Sequence, residues 1–242
     1  MLAKIKYLLF LTLILLSFSC FSQNYIEYHS NGKKKYEVEQ KGNDTTFVIF
    51  YKKKGNKSVE AFYYKDTLNG KTIEWFKSKQ IKLIGNYKSG IINGKWKYWY
   101  KNGKIQSQLF YIDGKLDDWC FHWYQNGNMK EKAYYINGSL EGKWKTWHKN
   151  GNISEEGQCV NGQKHGLWVE YYYKEKKRRE TVYEHGTQIT RPINWFSNGK
   201  LDHTSKRELE RIKALPENER TDAEKIILKR NLHYFKYGSY GY

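Results

Sequence analysis

The stretch GKWKYWYKNG at residues 94–103 returns as GKWKTWHKNG at residues 142–151. Midway between them, DWCFHWYQNG at residues 118–127 keeps the central aromatic residues and the closing Asn-Gly. The copies are spaced by 24 residues, and a fixed period of this length is typical of repeat proteins. A unit this short cannot bury its apolar side chains alone, so neighbouring units must pack on one another.

The 24-residue period continues well beyond these three copies. With units that start at residues 46, 70, 94, 118, 142, 166 and 190, the sixth position is aromatic in all seven. The sixth-position residues are Tyr51, Trp75, Trp99, Trp123, Trp147, Tyr171 and Trp195. Asn-Gly fills the ninth and tenth positions in four units, and glycine fills the twenty-first position in five. Tyr28 with Asn31-Gly32 indicates a further, partial copy before residue 46.

Each unit has the composition of a β-hairpin. Asn-Gly supplies the positive φ angles of a type I′ two-residue turn, and the aromatic residues on both sides suit a pleated sheet. We therefore predict an all-β fold, an elongated antiparallel meander of about seven 24-residue β-hairpin repeats with a short α-helical C-terminal cap. The predicted segments are a signal peptide at 1–22, a partial N-terminal repeat at 23–45, the repeat array at 46–201, and a helical cap and tail at 202–242.

The repeat consensus of glycine, tryptophan, two further aromatic residues and Asn-Gly resembles the MORN-type repeats. It is most similar to the bacterial variant found in YwqK-like proteins, and residues 94–103 and 142–151 carry the resemblance most fully. The resemblance covers about residues 25–201. It implies a scaffolding or lipid-binding role, and relatives of this type are also labelled antitoxin components.

The register of a two-residue turn divides the repeat positions between two faces of the sheet. Position 7 would pair with position 12 and position 3 with position 16, so Trp96, Trp144 and Trp168 would share a core face with the twelfth-position aliphatics. The sixth-position aromatics would lie on the opposite face as a candidate interaction ladder. Alternatively, a bulge turns these rings inward, or lysine stems cover them.

Lysine accompanies the aromatic residues throughout the array. The chain carries a formal net charge of +18, which attracts anionic partners. The candidate anion-binding lysines are Lys95, Lys97, Lys101, Lys143, Lys145 and Lys149. The alternative interpretation is a solvated face that keeps the sheet soluble.

The N-terminal segment has the pattern of an export signal. Lys4 and Lys6 precede a twelve-residue apolar run, which is too short for a transmembrane helix. We expect cleavage before Gln23 and an exported bacterial protein, periplasmic or secreted, with no transmembrane helix in the mature chain. Lipidation of Cys20, which would give an outer-membrane lipoprotein, is the alternative. Export argues against nucleic acid as the partner.

After Leu201 the aromatic period stops and helical spacing begins. Leu209, Ile212 and Leu215 predict one amphipathic helix, and Thr221 with Glu224 forms a capping-box pattern that opens a second helix. The second helix is expected from Asp222 to about Phe235. We interpret the pair as a cap on the open end of the sheet, with a partner-binding helical tail as the alternative.

The sequence contains no recognisable catalytic, metal or cofactor motif. Gly70-Lys71-Thr72 lacks the first glycine of a phosphate-binding loop, since Lys65 stands at that position. Cys120 and Cys159 fall on strands three places apart in the predicted meander, so we expect two unbridged thiols. The predicted function is therefore an exported, non-enzymatic protein-interaction or scaffolding module without cofactors. The alternatives are a binder of anionic envelope lipid or polysaccharide, and an antitoxin or immunity-type protein that sequesters a partner.

Overall fold

A computed structural model describes residues 24–41 and 44–237, which form an antiparallel β meander followed by two short helices. The predicted signal peptide therefore lies outside the described residues. The chain divides into two compact units between Lys115 and Leu116, a division that the 24-residue period does not indicate. We call them the N-terminal and the C-terminal unit, and β9 (Lys115–Leu116) spans the division.

Each strand of the N-terminal unit pairs antiparallel with the next along the chain. Its strands are β1 (Tyr25–Tyr28), β2 (Lys34–Gln40), β3 (Thr45–Tyr51), β4 (Lys57–Tyr64), β5 (Thr67–Trp75), β6 (Ile81–Lys88), β7 (Ile91–Trp99) and β8 (Ile105–Ile112). The predicted meander is confirmed here.

The C-terminal unit repeats this arrangement and ends in helices. Its strands are β10 (Asp118–Trp123), β11 (Met129–Ile136), β12 (Ser139–Trp147), β13 (Ile153–Val160), β14 (Gln163–Tyr171), β15 (Lys177–Glu184), β16 (Thr187–Gln188) and β17 (Ile193–Asn194). Strands β10 to β15 pair in sequence order, and β15 pairs with both β16 and β17.

The turn that contains Asn-Gly differs from the predicted type I′ turn. Tyr100 N–H donates to the Lys104 carbonyl at 2.8 Å and Gly103 N–H to the Tyr100 carbonyl at 3.0 Å. Within this loop positive φ occurs at Gly103 (83°) and not at Asn102. A three-residue loop with a left-handed glycine is a type I turn with a G1 bulge. Asn102 was expected to supply a positive φ angle. Instead its side chain stabilises the loop, because Oδ1 accepts from Lys104 N–H at 3.1 Å.

Type I′ turns do occur, at the other end of the hairpins from β4 onward. Asp113 (φ 46°) and Gly114 (φ 84°) both have positive φ, as do Asn137 (51°) and Gly138 (85°). The type I′ turn predicted for Asn-Gly therefore occurs at the twenty-first-position glycine, for which no turn type was predicted. The twenty-first-position glycine supplies the second residue of the I′ turn.

The bulge also changes the register at the loop end of each hairpin. Trp96 lies opposite Leu109, which confirms the predicted pairing of positions 3 and 16. Trp99, however, lies opposite Ile105, so position 12 pairs with position 6 and not with position 7. The twelfth-position residues consequently share the face of the sixth-position aromatics, and the prediction that they join the core face was wrong.

The third-position face holds most of the buried side chains of the sheet. Trp96 is 3% exposed and lies over Gly85, where an added Cβ would come within 2.2 Å of the indole. Trp168 lies in the same way over Gly157, at 2.4 Å. A glycine at position 16 of one repeat therefore makes room for the tryptophan at position 3 of the next repeat. The sequence shows both glycines, but the 24-residue period alone did not predict this contact.

Two C-terminal helices form, as the apolar spacing after Leu201 and the Thr221–Glu224 capping box predict. Helix α1 (His203–Ala214) begins after Asp202, whose side chain accepts from Ser205 N–H at 2.6 Å. Helix α2 (Asp222–Tyr237) begins with the capping box, in which Glu224 N–H donates to Thr221 Oγ1 at 3.2 Å. A 3₁₀ turn (Glu217–Glu219) connects them.

Both Cys120 and Cys159 are buried and unbridged, as predicted. Within residues 24–41 and 44–237, neither helix has the length and apolar character needed to cross a bilayer.

Candidate interaction surfaces

One transverse row of residues defines the sixth-position face of the C-terminal unit. Directly opposite neighbours on successive strands are Phe121, Lys132, Lys145, Glu156, Val169, Glu180 and Ile193. The sixth-position residues Trp123, Trp147 and Tyr171 stand two residues along the same strands, so strand alternation puts them on this face. The prediction that they lie opposite the third-position tryptophans is therefore correct for this unit.

The two helices cover the last part of this face. Trp195 is 2% exposed in a cluster with Val182 and Ile193 from the sheet and with Leu209 and Ile227 from the helices. The final member of the candidate ladder is thus a core residue that holds the helix pair.

A buried ionic cluster reinforces this contact. Glu180 is fully buried and accepts from Lys177 at 2.6 Å, from Arg230 Nε at 3.2 Å and from Asn231 Nδ2 at 2.9 Å. Burial lowers the pKa of Lys177, although the adjacent Glu180 acts in the opposite direction. Because a buried carboxylate needs its partners, the cluster attaches α2 to β15.

Aromatic side chains occupy this face on the first strands of the row, away from the helices. We call them the aromatic strip: Trp119, Phe121, Trp123 and Tyr134. Along β10 the ring centroids are 6.4 Å and 5.9 Å apart, with planes inclined by 31° and 27°. Tyr134 packs on Trp119 from β11 at 5.2 Å, and Lys132 Nζ stands 4.1 Å from the Trp119 ring centroid. All four aromatic side chains are half-buried.

The remaining ladder positions differ from one another: both tyrosines are hydrogen-bonded, and Trp75 lies beneath a lysine. Tyr171 donates to Glu156 at 2.7 Å. Tyr51 donates to Glu37 at 2.9 Å, and burial together with this bond raises its pKa to about 12. Lys57 Nζ lies 5.9 Å from the Trp75 ring centroid, so a lysine stem covers that ring, as the alternative interpretation expected.

Trp99 and Trp147 are half-buried. With the tyrosines bonded, Trp75 covered and Trp195 in the core, the seven residues do not act alike. Their shared periodicity therefore does not by itself indicate a shared role.

The six candidate lysines divide between strands and loops. Lys95 and Lys97 lie on β7 and Lys143 and Lys145 on β12, whereas Lys101 and Lys149 lie in G1 loops. Lys145 is paired with Glu156 at 2.7 Å, so part of the predicted anion-binding set is neutralised within the chain.

The G1 loops of the N-terminal unit concentrate positive charge more strongly than the strands do. The loops at residues 29–33, 52–56, 76–80 and 100–104 contain no Asp or Glu. We call their lysines the lysine loop edge: Lys33, Lys52, Lys53, Lys54, Lys77, Lys79, Lys101 and Lys104. Sequence analysis by repeat position missed this edge because it compared residues across units and did not count charge loop by loop.

Hydrogen bonds between successive loops hold this edge in place. Asn31 Nδ2 donates to the Lys53 carbonyl at 2.8 Å, and Asn56 Nδ2 donates to the Lys77 carbonyl at 3.3 Å. Lys52 Nζ donates to the Trp75 carbonyl at 3.0 Å. These bonds therefore link the first three loops, each to its neighbour one repeat along the chain.

A cavity of about 390 Å³ lies beside the helices, with Arg191, Glu208, Arg211 and Glu224 among its lining. Arg211 donates to Glu208 at 2.8 Å and to Glu224 at 2.5 Å, so its polar groups satisfy one another. In the part of the chain that the structure describes, no three His, Cys, Asp or Glu side chains group as metal ligands.

Comparison with known proteins identifies the repeat type. The family described as MORN repeat variant matches residues 92–113, 120–137 and 140–161. No curated protein matches the chain. A chain in the crystal structure of TcdB2-TccC3-Cdc42 is similar over 74% of this chain, with 8% identity and a TM-score of 0.18, and the similarity covers 13% of that chain. A TM-score of this size carries no argument about fold or function.

The three family matches fall on consecutive hairpins, and their ends at residues 113, 137 and 161 are spaced by the 24-residue period. MORN repeats are generally protein- or lipid-interaction modules and are typically non-catalytic. The hairpins between residues 92 and 161 are therefore repeats of the MORN type, which supports a MORN-type repeat protein.

Proposed function

We propose that this chain is an exported, non-enzymatic interaction module whose partner is another protein that docks on the aromatic strip. The observation that carries this proposal is the continuity of one sheet face. Its last strands are covered by α1 and α2, whereas its first strands present half-buried Trp119, Phe121, Trp123 and Tyr134. Trp and Tyr are the residues on which protein interfaces concentrate their binding energy.

The way the chain covers its own face indicates the kind of partner. Leu209, Ile212 and Ile227 fill the helix-covered part, and each belongs to the apolar stripe of an amphipathic helix. A partner helix with a similar stripe fits the aromatic strip, and an acidic residue on that helix would pair with Lys132.

Site-specific photo-crosslinking in the native host tests this proposal. A photoreactive phenylalanine analogue at Phe121 is expected to give one discrete protein adduct. The matched control is the same analogue at Ile91, which is 49% exposed in the N-terminal unit. The absence of an adduct at position 121, or the same adduct at both positions, would overturn the assignment of the strip.

A second candidate function is binding of an anionic envelope lipid or polysaccharide. The concentration of lysine in the loops of the N-terminal unit favours it, since clustered positive charge attracts anionic surfaces and polymers. Salt-dependent retention of the full chain on anionic vesicles or on an acidic polysaccharide is the expected result, and salt-insensitive or absent retention on both would exclude it.

Export is part of the main proposal and rests on residues 1–22. Intact-mass measurement of envelope material is expected to give a mature chain that begins at Gln23. A diacylglyceryl mass on Cys20 would instead assign an outer-membrane lipoprotein. The antitoxin alternative and the YwqK-like assignment rest on the resemblance of the repeats alone.

A further inference from the structure

The lysine loop edge is a regular, one-dimensional arrangement of charge. Its four loops close the hairpins β1–β2, β3–β4, β5–β6 and β7–β8, so consecutive loops are two strands apart. Strands in a sheet are about 4.8 Å apart, which puts neighbouring loops about 10 Å apart and the outer two about 30 Å apart. Hydrogen bonds between loops keep this spacing among the first three loops.

The charge is segregated within the N-terminal unit. The opposite ends of these hairpins carry Asp44, Asp66 and Asp113 together with Lys41, Lys65, Lys88 and Lys115, and Lys65 lies 3.7 Å from Asp44. The acidic residues of the strands are engaged by strand lysines, as in the pairs Lys57–Glu60 and Lys82–Glu74. One edge of the unit is therefore basic and the other is close to neutral.

One loop residue adds charge at the expense of backbone strain. Lys79 occupies the tenth position with φ of 70°, where neighbouring loops have Gly55 and Gly103. A non-glycine residue in the left-handed region costs about 1 kcal/mol or more. Strained residues cluster at functional sites, and here the strained residue extends the row of lysines.

We propose that the lysine loop edge binds a linear acidic polysaccharide, whose carboxylates pair with the lysine ammonium groups of successive loops. This inference rests on the second candidate function and names its ligand and its residues. Lys33 donates to the Lys54 carbonyl of the adjacent loop and Lys52 donates to the Trp75 carbonyl at the end of β5, so their ammonium groups are already positioned. Pre-positioning lowers the entropy cost of binding.

The composition of the loop tips favours a soluble polymer over a bilayer or a nucleic acid. The tips read SNG at 30–32, KKG at 53–55, KSK at 77–79 and KNG at 101–103. They offer no apolar side chain to insert between lipids and no aromatic ring on which a base could stack. A row of charges at a regular spacing suits a polymer that carries carboxylates at regular intervals.

Binding of fluorescent oligogalacturonates of increasing length to the full chain tests the proposal. Affinity should rise with length until the oligomer spans about 30 Å and then level off, because each further loop adds an intramolecular contact. The loop variant combines Lys53→Gln, Lys77→Gln and Lys101→Gln. The matched control combines Lys71→Gln, Lys88→Gln and Lys115→Gln, three exposed lysines elsewhere in the same unit with the same loss of charge.

We expect the loop variant to bind about tenfold more weakly, since each exposed ion pair contributes modestly. The control should stay within about twofold of the unmodified chain. Equal losses in both variants would overturn the proposal, because net charge alone would then explain binding.

Binding to vesicles that contain phosphatidylglycerol separates the remaining outcomes. Loop-dependent vesicle binding without polymer binding would overturn the polysaccharide and leave the second candidate function standing. Failure of both probes would remove both.

Discussion

The two units share a repeat and differ in what they add to it. The N-terminal unit has eight lysines and no acidic residue in its four G1 loops, whereas the loops of the C-terminal unit hold four lysines and Glu175. The C-terminal unit instead covers part of its sixth-position face with two helices and leaves the aromatic strip beside them. The same backbone period therefore carries two different surfaces, because loop and face side chains vary without disturbing the hairpins.

The largest difference in free energy of unfolding between matched variants of the two units is expected at the lysine–glutamate pair of positions 12 and 15. In the C-terminal unit Lys177–Glu180 is buried beneath α2, and in the N-terminal unit Lys57–Glu60 makes the same pair at 2.6 Å on an open face. Glu180→Gln should lower the free energy of unfolding by about 3 kcal/mol, since it leaves the largely buried Lys177 without its carboxylate partner. Glu60→Gln should lower it by less than about 1 kcal/mol.

Chemical denaturation of the full chain measures both values, and hydrogen exchange locates them. Faster exchange should be confined to α1, α2 and β15 in Glu180→Gln. Equal destabilisation by the two variants would show that burial beneath the helices does not distinguish the pairs.

The next effect is expected to be the same in both units. Gly85→Ala and Gly157→Ala would each put a Cβ against a tryptophan ring, and such overpacking costs about 1–3 kcal/mol. The indoles of Trp96 and Trp168 donate to backbone carbonyls. Ala133 is the natural comparison for the two glycines, because it lies opposite Trp144, whose indole donates instead to the Glu131 side chain at 2.8 Å. Thermal unfolding should show a clear loss for both glycine variants and little change for Ala133→Gly. A tolerated Gly157→Ala would mean that Trp168 can adopt the arrangement of Trp144.

A smaller loss of stability is expected from removing the cap of α2, and it should be confined to the helices. Thr221→Ala removes the side-chain acceptor of the capping box and should cost about 1 kcal/mol. Hydrogen exchange should accelerate in the first turn of α2 and leave the N-terminal unit unchanged. Thr67→Ala, at an exposed turn of the N-terminal unit, is the control. Similar losses from both variants would argue against the cap.

The smallest effect is a gain in stability. Lys79 and Glu175 occupy the same loop position in the two units, with φ of 70° and 64°. Lys79→Gly and Glu175→Gly should each raise the free energy of unfolding by up to about 1 kcal/mol, because glycine adopts this conformation without a Cβ clash. A gain in one unit alone, measured by urea unfolding, would show that side-chain contacts and not backbone strain dominate at that loop.

Local sequence signals predicted hairpins and helices correctly where short-range geometry decides the structure. Thr221 and Glu224 located the start of α2 because a capping box involves residues only three apart. Asn102-Gly103 located a turn but not its type, since the same dipeptide suits a type I′ turn and a G1 loop. The choice between them moved position 12 to the other face.

The sequence by itself determined the 24-residue period, the antiparallel meander, the opposite placement of positions 3 and 6 and the helical C-terminus. These features follow from turn chemistry, strand alternation and capping, all of which act over a few residues. Only the tertiary structure decided that Trp195 is core, that Glu180 anchors α2 and that the lysines of four loops share one edge. Burial and charge clustering of this kind depend on which distant segments of the chain come into contact. They are not determined by a residue's neighbours in sequence.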